Sequence, residues 1–278
     1  MARAGSINYQ VSNIIKDING IGQSKNESRN ESGLRAENGH KVSDKIHSYK
    51  SLDNTRADLA NLARFAKSEF QIKDMRNINA SIVDVWIKSK EITYQTGSNY
   101  LSEISKVSGH LSITKDEIKT IRAELRHNKP ANQRTETRSY KGLDKVQVLE
   151  RSQPAFELQR DYGLRVSAAT HINLDKQLNG NTLKYQEKGG KWSEKELSDA
   201  LANKIKENAV NGKYEMNNRT YNRDLKIEIE KQENNKYNGT HGIRHSYAQN
   251  QLESGKSKQE VSESMGHVRE EIIDTYLR

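Results

Sequence analysis

The stretch HGIRHSYAQNQLESGKSKQEVSESMGHVREEIIDTYLR, residues 241–278, carries the most informative spacing in the chain. His241 and Arg244 are three residues apart, so on a helix their side chains project from one face. His267 and Tyr276 are nine residues apart, which is roughly half a revolution of a continuous helix at about 100° per residue. These two side chains can therefore converge only if the chain turns between them or if they lie on separate helices.

Gly266 permits such a turn, because glycine adopts left-handed backbone conformations at little cost. A chain end usually frays unless packing holds it, and Ile272, Ile273 and Leu277 are the residues expected to bury this one. Taken alone, the segment is typical of a docked C-terminal helix in which Tyr276 is a half-buried aromatic anchor. A chemical role for the tyrosine is the alternative.

The composition bounds the class of protein. The 278 residues include 46 Lys+Arg and 37 Asp+Glu, and the net charge of +9 suits a polyanionic partner, although it also fits a basic protein with solvated charged faces. Cysteine is absent, which excludes disulfides and thiolate metal sites. No apolar run approaches the roughly 18 to 20 residues of a membrane span, and the N-terminus lacks a signal-peptide core. We therefore expect a cytoplasmic protein that does not contact membranes.

The N-terminal residues 1–45 are predicted to form a polar arm. A short apolar patch favours a small helix over 11–19 that stops at Gly20, and the polar tract after it is expected to be mobile or dependent on a partner. The arm is either a DNA-binding segment or a polar leader without a specific role.

Residues 46–127 are predicted to form a compact bundle of four helices, because apolar residues recur there at helical spacing. The apolar positions of the first three helices are Leu52, Leu59, Leu62, Phe65, Ala66 and Phe70, then Ile78, Ile82, Val83, Val85, Trp86 and Ile87, then Tyr100, Leu101, Ile104, Val107 and Leu111. Thr114 and Glu117 form a capping box that opens the fourth helix, which is expected to end near His127. The polar composition of residues 128–142 predicts that they form an interdomain linker.

The second domain is predicted to span residues 143–278 and to mix helices with strands. Residues 143–162 have helical character with an interruption near Pro154. TLKYQEKGGKW, residues 182–192, predicts a hairpin around its Gly-Gly pair. SEKELSDALANKIKENA, residues 193–209, returns to helical periodicity.

Four separated pieces hold the residues able to do chemistry: GLRVS with Arg165, YQEKGGKW with Lys188, HGIRH with His241 and Arg244, and the terminal GH followed by Tyr276. Each piece alone has an ordinary explanation, such as a surface arginine, a tight turn or a chance HxxR. Their order and spacing closely resemble the catalytic domain of the tyrosine recombinases, the phage-integrase and Xer-like family.

The resemblance covers residues 143–276, and residues 46–127 are similar to the core-binding domain of that family. It implies an α+β, mainly helical fold, in which a SAM-like helical core-binding domain precedes a mixed α/β catalytic domain with a small antiparallel sheet, the fold of DNA breaking-rejoining enzymes. It further implies a site-specific DNA recombinase, or integrase, that cleaves and rejoins strands through a 3′-phosphotyrosyl intermediate without metal, ATP or another cofactor.

The partner implied by the resemblance is double-stranded DNA, on which a homotetramer assembles at synapsed sites. Bound to DNA, the protein would be associated with the nucleoid. The need for an accessory DNA-bending or directionality factor, the target sequence, and the choice between integration, excision and dimer resolution stay open. The N-terminal arm slightly favours a mobile-element integrase.

The resemblance makes Tyr276 the nucleophile. A phenol has a reference pKa near 10, so it needs a base or a strongly positive site to attack at neutral pH. Arg165 and Arg244 carry planar donor forks suited to the non-bridging oxygens of a phosphate and to the charge that develops on them.

The remaining roles concern protons. Lys188, which opens the Gly-Gly turn, is the implied general acid for the departing 5′ oxygen, with Lys184 and Lys191 as flanking alternatives on the same hairpin. His241 would assist proton transfer, and His267 would donate a further hydrogen bond to the phosphate.

Two departures from the family pattern stand out. Ala168 occupies a position where the family commonly has an acidic residue, so a supporting carboxylate is either missing or replaced. Only Leu277 and Arg278 follow Tyr276, where the family has a docking helix, so either the protomers couple through other surfaces, or the nucleophile segment is mobile or exchanged, or the chain is truncated. The rival functions are a type IB topoisomerase and a DNA-binding protein of the same fold that has lost activity.

Overall fold

The computed structural model describes residues 5–35, 39, 41–128, 137–187, 191–232, 235–267 and 269–277. The chain divides into two compact units, Met1–Gln133 and Arg134–Arg278. In its described residues the first unit is helical, while the second combines helices with two small antiparallel sheets. This arrangement confirms the predicted α+β, mainly helical class. None of the helices in the described part of the chain has the length and apolar content needed to cross a membrane.

The first unit contains six helices in its described residues, which are α1 (Ile7–Asp17), α2 (Lys25–Glu31), α3 (Tyr49–Phe70), α4 (Ala80–Lys88), α5 (Tyr94–Lys106) and α6 (Lys115–Asn128). The four predicted helices correspond to α3 through α6. The third ends earlier than predicted, because a 3₁₀ turn, Ser108–His110, follows Lys106. The capping box is present: the Thr114 N–H donates to the Glu117 carboxylate at 2.8 Å, and the Glu117 N–H donates to Thr114 Oγ1 at 3.2 Å.

Residues 1–45 are not separate from the first unit. Val11, Ile14 and Ile15 of α1 are buried in the same core as α3. The Ile46 N–H also donates to the carbonyl of Ile18 at 2.8 Å. The predicted boundary at residue 45 therefore does not divide this segment from the bundle, and its role in binding DNA stays a prediction.

The second unit contains the helices α7 (Gln153–Tyr162), α8 (Val166–Thr170), α9 (Leu174–Gln177), α10 (Asp199–Glu207), α11 (Asn218–Glu230), α12 (His241–Glu253) and α13 (Lys258–Ser264). Its strands are β1 (His171–Asn173), β2 (Leu178–Asn179), β3 (Thr182–Gln186), β4 (Trp192–Glu196) and β5 (Lys213–Glu215). Strand β1 pairs with β5, and β2, β3 and β4 form a second antiparallel sheet in that order. The predicted hairpin is thus present as β3 and β4, while its turn, residues 188–190, lies outside the described residues.

Two local predictions in this unit are wrong. Pro154 does not interrupt a helix but lies in the first turn of α7, where its missing N–H costs no hydrogen bond. Residues 193–196 belong to β4 rather than to a helix. That strand has no buried residue and is stabilised by its pairing with β3, which a periodicity reading of the single segment does not detect.

The second unit begins before the predicted residue 143. Within the predicted linker, residues 129–136 lie outside the described residues, but Tyr140 is buried in the core of the second unit. The Tyr140 N–H donates to Ser246 Oγ at 2.7 Å, and the Ser246 hydroxyl donates back to the Tyr140 carbonyl at 3.0 Å. These contacts fix Tyr140 against α12, the helix that carries the HGIRH motif.

Candidate active site

The helix α12 carries the central residues of the site. It begins at His241, so Arg244 and His245 follow three and four residues later and lie on the same face. Arg244 is 1% exposed and His245 is 3% exposed, whereas His241 is exposed at the start of the helix. A fully buried arginine needs hydrogen-bond partners for its guanidinium, because burying an unpaired charge is costly.

The guanidinium of Arg244 is held by main-chain carbonyls. Nη1 donates to the carbonyl of Gly163, which ends α7, and Nη2 donates to the carbonyl of Met265, which follows α13. Burial lowers the pKa of Arg244, as does the charge of Arg165, while Tyr276 and Glu187 raise it. The two carbonyls fix the plane of the fork and therefore the direction in which the Nε–H bond points.

That direction leads to the terminal tyrosine. Arg244 Nε lies 3.4 Å from the hydroxyl oxygen of Tyr276, and His267 Nε2 lies 3.2 Å from the same oxygen. Tyr276 is 5% exposed. Its ring packs against His245 with centroids 4.7 Å apart, and its carbonyl accepts hydrogen bonds from His245 Nδ1 at 3.3 Å and Gln249 Nε2 at 3.0 Å.

The chain reaches this geometry by turning between His267 and Tyr276, as their nine-residue spacing requires. Helix α13 ends at Ser264, and Gly266 takes a φ of +72°, in the left-handed region. A 3₁₀ helix, Glu270–Thr275, then leads into Tyr276 and buries Ile273 completely. Of the three apolar residues expected to bury the segment, Leu277 is instead exposed.

The protonation of His267 follows from its contacts. Its Nε2 lies 3.3 Å from Arg244 Nη2, and a guanidinium only donates, so Nε2 is the acceptor and the ring proton lies on Nδ1. Burial lowers the pKa of His267 to about 4, helped by the charges of Arg244 and Arg165. The ring is therefore neutral at pH 7, and the single lone pair of Nε2 is shared between Arg244 Nη2 and the Tyr276 hydroxyl, which can donate to it.

His241 lies at the edge of this cluster. Its ring centroid is 5.7 Å from that of Tyr276 and 5.3 Å from that of His245. Desolvation lowers the pKa of His241, and the neighbouring histidines and arginines lower it further. A neutral imidazole beside two guanidiniums can take up a proton when a negatively charged group enters the site.

Arg165 enters from the start of α8. It is the N-cap residue of that helix, its side chain is 23% exposed, and its Nη1 donates to Glu187 Oε2. Glu187 follows β3 and is 6% exposed. Both Arg165 and Glu187 influence the pKa of Arg244, so the two arginines and this carboxylate share one electrostatic environment.

The lysines of the hairpin are placed differently from one another. Lys188, the predicted general acid, lies outside the described residues. Lys184 is exposed and pairs with Glu194 at 3.2 Å, and Lys191 is exposed. Lys195 of β4 donates to the carbonyl of Ser264 at 2.6 Å, and desolvation followed by the charge of Arg244 lowers its pKa. Lys195 thus fastens the hairpin to the end of α13.

Five of the six residues predicted from sequence can be located, and the structure gathers them around the hydroxyl of Tyr276 and the two guanidiniums. Glu187, His245 and Gln249 also belong to the site and were not predicted from the sequence. His245 had a signal, since it stands four residues after His241 in HGIRH and so shares its helical face. Glu187 had none, because its partner Arg165 is 22 residues away on another element.

The fold and the site together define the class of protein, an enzyme that breaks and rejoins DNA. Residues 111–278 match the Phage integrase family. The chain therefore belongs to the phage integrase family and is a site-specific DNA recombinase. No curated protein sequence matches the chain closely enough to count as a relative.

Two solved structures show the same fold. The XerH site-specific recombinase bound to its difH substrate in a pre-cleavage complex is 14% identical, with 97% of this chain and 91% of that chain covered and a TM-score of 0.61. The integrase of the Tn1549 transposon, residues 82–397, in complex with circular intermediate DNA is 13% identical, with 98% and 94% covered and a TM-score of 0.55. At these identities the likeness concerns the fold.

Proposed function

We propose that this recombinase cleaves double-stranded DNA with Tyr276 as the nucleophile and forms a 3′-phosphotyrosyl intermediate. The observation that carries the proposal is the buried hydroxyl of Tyr276, which has Arg244 Nε at 3.4 Å and His267 Nε2 at 3.2 Å. Arg244 donates to the phenol oxygen and His267 accepts from it, so the chain of hydrogen bonds runs in the direction in which the phenol must lose its proton.

The Tyr276 oxygen forms a bond to phosphorus while the bond between phosphorus and the 5′ oxygen breaks, and the phenol proton passes to His267. The 5′ oxygen leaves as a hydroxyl after receiving a proton from Lys188. Attack of a 5′ hydroxyl on the phosphotyrosine reverses the step, so rejoining needs no ATP.

The two arginines serve the phosphate in this proposal. Arg165 and Arg244 neutralise its non-bridging oxygens and the negative charge that develops during the displacement, which two guanidiniums accomplish without a metal ion. His241 assists proton transfer at the edge of the site. The hydrogen-bond donation from His267 to the phosphate, which the resemblance implies, requires its proton on Nε2 and therefore follows uptake of the phenol proton at that atom.

The proposed partner is duplex DNA, on which four protomers assemble. The net charge of +9 supports a polyanionic partner, and both comparison structures are complexes with DNA. The need for an accessory factor is part of the same proposal and is tested by adding a cell extract to the cleavage reaction once a bound sequence is known.

The test begins with a selection of bound sequences from random duplexes, because the target site is unknown. A bound duplex is then nicked a few nucleotides 3′ of each candidate phosphate. The short fragment that carries the new 5′ hydroxyl then diffuses away after cleavage, and the covalent adduct accumulates. The reaction is run with EDTA and resolved on a denaturing gel. We expect an adduct with the native chain and none with Tyr276→Phe, which should bind the same DNA with the same affinity.

Tyr247 offers a matched control. It is also 5% exposed and lies in the same apolar cluster, but its hydroxyl contacts Ser264 Oγ at 3.2 Å rather than an arginine. Tyr247→Phe should therefore retain the adduct. An adduct that persists in Tyr276→Phe would refute the assignment of the nucleophile, and a native chain that binds its DNA but never forms an adduct would refute the proposed chemistry.

A further inference from the structure

Glu187 is a buried carboxylate that the proposed chemistry leaves without a role. It lies immediately after β3 and is 6% exposed. Its Oε2 accepts a hydrogen bond from Arg165 Nη1, whereas its Oε1 is inaccessible to solvent and has no hydrogen-bond partner among the described residues. A carboxylate is rarely buried beside a catalytic site unless it acts on a neighbouring charge.

The surroundings of Glu187 show that it is built into the fold. Its N–H donates to the carbonyl of Lys191 at 2.7 Å, which continues the pairing of β3 with β4. A Cβ at residue 266 would collide with Glu187 Oε1, so the glycine of the GH motif leaves the space that the carboxylate occupies. Burial, followed by the charge of Glu187, raises the pKa of Tyr185, whose side chain lies beside the carboxylate.

We propose that Glu187 is a positioning residue that holds the guanidinium of Arg165 in place for the scissile phosphate. The inference rests on the proposed role of Arg165 as a phosphate ligand. Arg165 carries five N–H donors on a long, flexible side chain, and one of its nitrogens is bound by Glu187. Fixing that nitrogen leaves the other donors free and restricts the orientation of the fork, which is the condition for bidentate binding of a phosphate.

The contacts favour positioning over competition with the phosphate. A carboxylate that occupied the phosphate position would contact both guanidiniums. In the described residues, however, Arg244 gives its donors to Gly163, Met265, Tyr276 and His267, and the guanidinium that Glu187 contacts is that of Arg165. The carboxylate oxygen Oε1 also lies against Gly266 and is inaccessible to solvent. Glu187 therefore contacts Arg165 without occupying the position of the phosphate.

The first measurement compares Glu187→Gln with the native chain on the nicked duplex under single-turnover conditions. The amide keeps the size of the side chain but removes its charge. We expect the rate of adduct formation to fall about 10- to 100-fold, the loss typical of a misplaced catalytic group, with the dissociation constant for DNA unchanged within about twofold. An unchanged or faster rate overturns the proposal.

Rescue from a second position separates positioning from general damage to the fold. Ala168 lies on α8, three residues after Arg165, and its N–H donates to the Arg165 carbonyl at 3.0 Å. A carboxylate introduced there can reach back to the guanidinium. Ala168→Glu in the Glu187→Gln background should restore most of the lost rate, whereas Ser167→Glu, at the exposed neighbouring position, should restore none. Equal rates for the two double variants overturn the proposal.

A second variant and the native chain serve as controls. If Glu187→Gln does not fold, Glu187→Asp replaces it, because aspartate keeps the charge but shortens the side chain by one methylene. We expect a loss of at least about threefold in the rate of adduct formation, which Ala168→Glu restores. A native rate in Glu187→Asp overturns the proposal. The native chain is run on every gel. If it forms no adduct on DNA that it binds, the proposed function fails, whereas a native adduct with an unaffected Glu187→Gln variant removes only the role of Glu187.

Discussion

Replacing Arg244 by lysine tests the central contact of the site, because the charge is kept while the planar fork is lost. The native guanidinium donates to the carbonyls of Gly163 and Met265 and to the hydroxyl of Tyr276. A lysine ammonium is a single point at the end of a flexible stem and cannot reproduce these directions together. At least one buried carbonyl is then left without a donor.

The magnitudes follow from these contacts. An unpaired buried carbonyl costs about 1–3 kcal/mol, so the free energy of unfolding should fall by about that amount. Removing one donor aimed at developing charge slows a reaction by about 10²- to 10³-fold, equivalent to about 2.7–4 kcal/mol of transition-state stabilisation. Arg244→Lys should therefore lose both stability and cleavage, while its affinity for DNA changes little because the charge remains.

Urea unfolding of the full chain, followed by circular dichroism, measures the first effect, and single-turnover adduct formation measures the second. Arg56→Lys is the control, because Arg56 makes a single exposed ion pair with Asp53 at 2.8 Å on α3. It should change both readouts little, since exposed ion pairs contribute about 0–1 kcal/mol. If Arg244→Lys unfolds at the native urea concentration and cleaves within about tenfold of the native rate, the reasoning is refuted.

Three shorter predictions address other parts of the site. Lys188→Ala should lose cleavage of normal DNA and regain it on a substrate with sulfur in place of the leaving 5′ oxygen, because a thiolate departs without a proton. Lys184→Ala should behave as the native chain. Loss of cleavage in both variants without rescue by sulfur would contradict the assignment. The His267 ring, followed by NMR in the free protein, should titrate near pH 4. That pKa lies below the unfolded value of about 6.5, so the folded state binds fewer protons than the unfolded state between these pH values. The contribution of His267 to stability is therefore complete above pH 6.5 and is lost as the pH falls towards 4. A titration midpoint near pH 6.5 would refute the burial argument. Gly266→Ala should destabilise the chain and slow cleavage, since residue 266 has a φ of +72° and its Cβ would displace Glu187, and a native melting temperature would contradict this.

The sequence predicted the elements whose signals are local. Helical spacing located α3 through α6, and the Thr114 and Glu117 pair marked the start of α6 because a capping box lies within four consecutive residues. The nine-residue interval between His267 and Tyr276 also required a turn, which Gly266 supplies.

The features that sequence reasoning missed depend on contacts between distant segments. Residues 193–196 of β4 follow a helical pattern in the sequence, because the strand buries no residue and depends on its pairing with β3. Tyr140 was placed in a linker, but its burial depends on α12, about a hundred residues later. The same cause hid Glu187, since no pattern near residue 187 indicates that Arg165 will lie beside it.

The hydroxyl of Tyr276 meets Arg244 and His267 of its own chain, so under the proposed function each protomer would carry the nucleophile and its activating groups together. We therefore expect that two chains with different defects do not restore each other in a mixed assembly. A protomer with Tyr276→Phe lacks the nucleophile wherever it sits, and a protomer with Arg244→Lys cannot lend its tyrosine to a neighbour's intact arginine. In genetic terms, we expect the two alleles not to complement, so a mixture of these two variants should cleave no more than either variant alone.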